Sequence, residues 1–153
     1  MTATAAPPRH PVERPRPRWW QRPWILPLAL FSVTFLLYAV PPYLGLDPAE
    51  ARLPVPADLP WYYPVLVTHI FGGTLLTLLV ILQVWPWLRT HHPAVHRWSG
   101  RVYVLAGIPL VGVPGLLIAL FGGAGTSTQV SNTVWALLWL SFTVIGYRMA
   151  RQR

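Results

Sequence analysis

The amino-acid sequence predicts an all-α integral membrane protein: a bundle of four transmembrane helices with both termini cytoplasmic, preceded by a disordered Pro/Arg-rich tail. Three observations carry that prediction. Hydrophobic residues make up 54% of the 153 residues and charged residues only 10%, against about a quarter in an ordinary soluble domain. The apolar residues gather in long uncharged runs, and between Arg101 and Arg148 no charge occurs in 46 residues. The arginines, finally, stand at the ends of those runs. A net charge of +8 therefore implies no nucleic-acid partner, because no soluble basic face exists. The twelve basic residues are all Arg, which reads as a coding bias of a GC-rich genome. The absence of Cys excludes disulfides, thiolate catalysis and thiolate metal sites.

The elements follow in order. Residues 1–22 are read as a disordered cytoplasmic tail, because a stretch so rich in Pro and Arg has nothing to bury. It resembles the basic start of a signal peptide, yet the apolar run after it has no small-residue cleavage site, so it is kept as a retained first span. Residues 23–153 form the transmembrane domain. Span one covers about 24–43, with Pro27 in the first turn, where a missing N–H costs little, and Pro41-Pro42 as its stop. Residues 45–60 are polar and Pro-rich and read as a connecting loop. Span two covers about 62–88. At 1.5 Å per residue it reaches roughly 40 Å, enough to cross a ~30 Å hydrocarbon core with tilt. The long uncharged stretch is too long for one span and divides at the flexible sequence 122–129. Spans three and four then cover about 102–121 and 130–147. Pro109 and Pro114 are expected to kink span three, as membrane helices tolerate.

Trp and Tyr mark the boundaries. Trp19, Trp20, Trp24, Trp61, Tyr62, Tyr63, Trp85, Trp87, Trp98 and Tyr103 fall where an aromatic belt would meet the headgroups. Trp135 and Trp139 lie four apart inside span four and are expected to pack on a neighbour. Eleven of the twelve arginines fall on one side of a four-span arrangement: the N-terminal tail, residues 89–101 and the C-terminus. The positive-inside rule makes that side cytoplasmic. Only Arg52 lies opposite, with Asp47, Glu50 and Asp58.

Few residues could carry chemistry. His69 lies about seven residues into span two, roughly 10 Å deep. An ionisable group at that depth faces the protein interior. It reads either as a haem ligand, proton-relay group or substrate contact, or as a neutral imidazole bonded to an adjacent helix. Gln83, fourteen residues on, lies close to the same helical stripe. Gly72 and Gly73 allow close approach of a helix or a flat ligand. His92 and His96 would share a face on a helix, with Pro93 a suitable first helical residue, but no Asp, Glu or Cys stands near to complete a metal site. Arg89, Arg97 and Arg101, with Trp98 and Tyr103, read either as anchors to anionic lipid headgroups or as a site for a phosphate or carboxylate on a quinone-like or anionic small molecule. Gly100 would let the start of span three pack tightly. The sequence holds no Walker loop, dinucleotide fingerprint, nucleophile elbow or acidic pair, which argues against a hydrolase or a carboxylate-driven pump.

The run His69-Ile70-x-Gly72-Gly73, then Gln83, Arg89 and His96-Arg97-Trp98-x-Gly100-Arg101-Val102-Tyr103 resembles the bacterial family called domain of unknown function 2306, over about residues 60–150. The resemblance implies a multi-pass protein of the bacterial cytoplasmic membrane. It also implies further C-terminal helices with a second His-Arg pair, which a chain ending at Arg153 does not include, so a short variant or a truncation is expected. The family's paired histidines suggest b-type haem held by His69 or His96. These two lie near opposite membrane faces, so one haem could not use both and would need a partner histidine from a second chain. Three functional readings follow: a non-enzymatic membrane component or subunit, a b-type haem electron-transfer protein, and a small-molecule transport component. The expected partners are the bilayer, anionic lipids at the cytoplasmic face, and a second copy or another membrane protein.

Overall fold

The computed structural model describes residues 24–152; the tail 1–22 lies outside the described residues. Helix α1 (Ile25–Ala39) ends although Val40 keeps helical geometry, because Pro41 and Pro42 have no N–H to carry the hydrogen-bond ladder on, and Pro41–Tyr43 continues as a single 3₁₀ turn. A loop then runs to residue 61. Its one short turn, Pro48–Glu50, is capped by Asp47, whose carboxylate accepts from the Ala49 N–H at 2.8 Å. The Arg52 guanidinium ties this loop back to α1. It donates to the Tyr38 carbonyl at 3.1 Å and lies 4.0 Å from the centre of the Tyr38 ring.

Helix α2 (Tyr62–Val84) is the second span. It ends four residues before the sequence-predicted limit at 88, because Trp85 adopts an extended conformation ahead of Pro86. The next residues differ more from expectation. The segment 89–101 is not a loop between spans. It contains helix α3 (Pro86–His91) and the first turns of helix α4 (Pro93–Gly107), joined at the non-helical His92. Span three thus starts at Pro93. Pro93 and Pro86 each stand at a first helical position, where proline's fixed φ and missing donor suit the helix.

The expected disturbance in span three takes the form of a π turn. Residues Ile108–Gly112 join α4 to helix α5 (Val113–Phe121), with Val113 N–H bonding back to the Ile108 carbonyl. Pro109 opens this turn and Pro114 falls in the first turn of α5, so neither missing donor breaks the run. The result is one span of 29 residues, Pro93–Phe121. Gly125, at φ 90°, reverses the chain in a conformation that suits glycine. Helix α6 (Thr126–Arg151) forms the fourth span and is longer at both ends than 130–147. Four helices are therefore long and apolar enough to cross a membrane: Leu26–Tyr43, Tyr62–Val84, Pro93–Phe121 and Thr126–Arg151. Among the described residues there is no strand.

The centre of the bundle is α2, which packs against α1, α4, the π turn and α5, while α6 lies on α5 and the π turn. Gly72 permits a close approach of α2 to the π turn: a Cβ there would lie 2.8 Å from the Leu110 carbonyl oxygen. A small core of Tyr43, Tyr62 and Leu66, covered by Val55, Leu59 and Ile118, closes the end that carries the loop 44–61; this is the loop end. Trp61 supports it edge-on against Phe121 at 5.4 Å. The other end, with α3 and the arginines of α4 and α6, is the arginine end. No residue of α6 is buried, and Leu26, Phe31, Leu105 and Phe142 stand exposed. In a bilayer such faces meet lipid tails that are as apolar as they are.

Candidate functional site

The arginine end is organised by one side chain. Gln83, the next-to-last residue of α2, donates through Nε2 to the His96 carbonyl at 2.9 Å and to Ser99 Oγ at 2.6 Å; Ser99 Oγ in turn donates to the His96 carbonyl at 3.2 Å. Gly100 makes room for this: a Cβ there would come 3.0 Å from Gln83 Oε1. Polar side chains in an apolar environment must be satisfied internally, and Gln83 and the buried Ser99 satisfy each other and share the His96 carbonyl where α4 leans on α2.

The same arrangement aims the rest of α4 toward α6. Gln83, His96, Arg97, Gly100, Arg101 and Tyr103 line a cavity of about 600 Å³ whose opposite wall is α6, including Phe142, Gly146, Tyr147 and Arg151. Arg151 lies near the Tyr147 hydroxyl at 3.4 Å. Three arginines thus line one cavity, with no carboxylate among its described lining residues. Asp47, Glu50 and Asp58 all belong to the loop end. His96 adds a polar atom without a partner: its Nδ1 is enclosed and makes no hydrogen bond.

Of the residues singled out in the sequence, the structure brings Gln83, His96, Arg97, Arg101 and Tyr103 together here. Neither Trp98, 63% exposed, nor Arg89, on α3, lines the cavity. His92 precedes α4 and rests against Trp87, ring centres 5.0 Å apart, so it does not share a helical face with His96. Among the described residues no three potential metal-binding side chains come together. Sequence reasoning missed Ser99, Gly146, Tyr147 and Arg151. Tyr147 and Arg151 stand four apart, a spacing that places them on one face of a helix, and that was the available signal.

His69 lies elsewhere. Its Nδ1 is 2.9 Å from the carbonyl oxygen of Val111, in the π turn, and it lines a separate cavity of about 410 Å³ between α2, α5 and α6. Fourteen residues of α2 separate His69 from Gln83, about 21 Å along the axis. His69 and His96 therefore serve opposite ends of the bundle and do not form a pair of axial ligands within one chain. Trp135 and Trp139, expected to pack on a neighbour, both line the His69 cavity. Trp139 also covers Gly107 and Gly112.

The fold and these sites define a multi-pass α-helical membrane protein with four candidate spans. The chain belongs to the family described as a predicted membrane protein, domain of unknown function 2306, whose sequence profile matches residues 66–153, more than half of it. No curated protein and no solved structure matches the chain. The matched region contains both cavities' α2, α4, α5 and α6 walls and omits α1.

Proposed function

We propose that the chain is a non-enzymatic membrane component that holds an anionic amphiphile at its arginine end: a phosphate or carboxylate headgroup among Arg97, Arg101 and Arg151, with an apolar tail along α6. One observation carries this reading, the cavity that Arg97, Arg101 and Arg151 all line with no acidic side chain among its described lining residues. Arginine suits such a headgroup because its planar fork gives paired, charge-assisted hydrogen bonds to phosphate and carboxylate oxygens. Gln83 and Ser99 supply the rigid backing. Tyr103 and Tyr147 offer hydroxyls at the same level, and Phe142 an apolar wall. This reading takes the arginine end as cytoplasmic, the side on which the arginine bias would place it, in the cytoplasmic membrane of a bacterium.

The test is lipid retention. Detergent-purified full chain, exchanged through vesicles of mixed phosphatidylglycerol and phosphatidylcholine, is examined by native mass spectrometry. The expected result is selective retention of the anionic lipid, lost in Arg97→Gln/Arg101→Gln. A parallel titration with inorganic phosphate distinguishes a site for the headgroup as part of a lipid from one for a free anion: in the second case phosphate alone protects against thermal unfolding. Equal retention of both lipids by the native chain and the variant, with no effect of phosphate, would overturn the proposal.

A further inference from the structure

The cavity at the loop end has a different chemistry. A carbonyl oxygen only accepts hydrogen bonds, so the 2.9 Å contact to Val111 places the proton of a neutral His69 ring on Nδ1. Nε2 is then left with its lone pair and acts as an acceptor. The hydrogen bond to the π turn thus sets which ring nitrogen is free. Gly115 holds the ring from the other side, since a Cβ there would lie 2.7 Å from His69 Cε1.

The surroundings restrict what this acceptor could meet. The described lining side chains include no carboxylate, lysine or arginine; besides His69 and the two indole N–H groups the polar side chain is Asn132. The other walls are Leu66, Ile70, Ile118, Ala136 and the indoles of Trp135 and Trp139. Trp135 is 70% exposed and stands at the rim. A volume of about 410 Å³ is within the range of small-molecule sites, which are mostly apolar with a few placed polar groups. Charge is excluded because nothing in the cavity would compensate it. A flat ring meets the indoles through its faces.

We propose that this cavity binds an uncharged aromatic alcohol, of the phenol or hydroquinone class, whose hydroxyl donates to His69 Nε2 and whose ring lies against the indoles of α6. The site is independent of the anion site about 21 Å away along α2.

Binding of 1-naphthol and of 1-methoxynaphthalene, which differ in the hydroxyl proton, is measured on the full chain in detergent. Protein-free micelles correct for partitioning. The native chain is expected to bind 1-naphthol saturably and about tenfold more tightly than the ether, as loss of one hydrogen bond to a buried acceptor implies. Ala136→Phe, which adds a ring to the α6 wall of the cavity, is expected to remove saturable binding while the anionic-lipid retention of the other end persists. Equal affinity for the two probes overturns the assignment of His69 as acceptor, and unchanged binding by a folded Ala136→Phe overturns the location. Should that variant not fold, the comparison of the two probes on the native chain decides alone.

Discussion

The amide of Gln83 bridges two helices by donating to the His96 carbonyl at 2.9 Å and to Ser99 Oγ at 2.6 Å, directly over Gly100. Replacing Gln83 by Leu removes both bonds and leaves Ser99 with fewer partners in a buried place. Hydrogen bonds between helices in membranes contribute about 0.6 kcal/mol on average and up to about 2. A loss of about 1–2 kcal/mol is expected, seen as a lower midpoint in thermal unfolding in detergent. Gln83→Glu should cost more where the carboxyl ionises, since a carboxylate cannot donate. An unchanged midpoint in both variants would show that the bridge contributes nothing.

Gly72 fixes how closely α2 meets the π turn. In Gly72→Ala the new methyl would lie 2.8 Å from a backbone oxygen, which cannot rotate away as a side chain could. Overpacking of this kind costs about 1–3 kcal/mol. The neighbouring Gly73 has nothing within 4 Å of its Cβ position, so Gly73→Ala should be neutral or slightly stabilising, alanine being the better helix former. Thermal midpoints of the two variants, measured side by side, check the contrast.

The orientation proposed from the arginines has a direct readout. Fusions of a reporter after residues 55 and 125 are expected to signal the outside, and fusions after residue 95 and the C-terminus the inside. The opposite pattern would reverse the membrane placement and leave the fold as described.

Arg151 was not among the residues marked out in the sequence, yet it borders the same cavity as Arg97 and Arg101. Arg151→Gln is expected to lower anionic-lipid retention severalfold, whereas Arg89→Gln, on α3 and outside the cavity, should leave it within twofold. Retention measured across increasing salt checks this further, since exposed charge contacts weaken with screening and enclosed ones much less.

The four spans were legible because length, hydropathy and the placement of charge all speak of the chain along its own axis. Gln83 and Gly100 could be marked out separately, by their position on a stripe and by the small residue. Their contact could not, because it depends on the rotation of α4 about α2. The segment 89–101 reads as the joint between two spans because its residues are polar. Pro93, a suitable first helical residue, was the local sign that span three begins there, and Pro86 carries the same sign for α3. Tyr147 and Arg151 lie on the tail side of a span whose end reads as a simple charged anchor. Only the packing of α6 beside α4 turns them toward His96.

The turn between Gly107 and Val113 has a consequence for the lengths this span can adopt. A bond from residue 113 to 108 encloses one residue more than the bond of an ordinary α-helix, and such insertions are confined to single turns. Deleting Leu110 would restore α-helical spacing there, with Pro109 and Pro114 still withholding two donors, while α4 and α5 each keep the faces they now present to α2. Deletion of one residue elsewhere in α4 or α5 rotates everything beyond it by about 100°. This span thus carries a built-in slack of one residue, beside the carbonyl that engages His69.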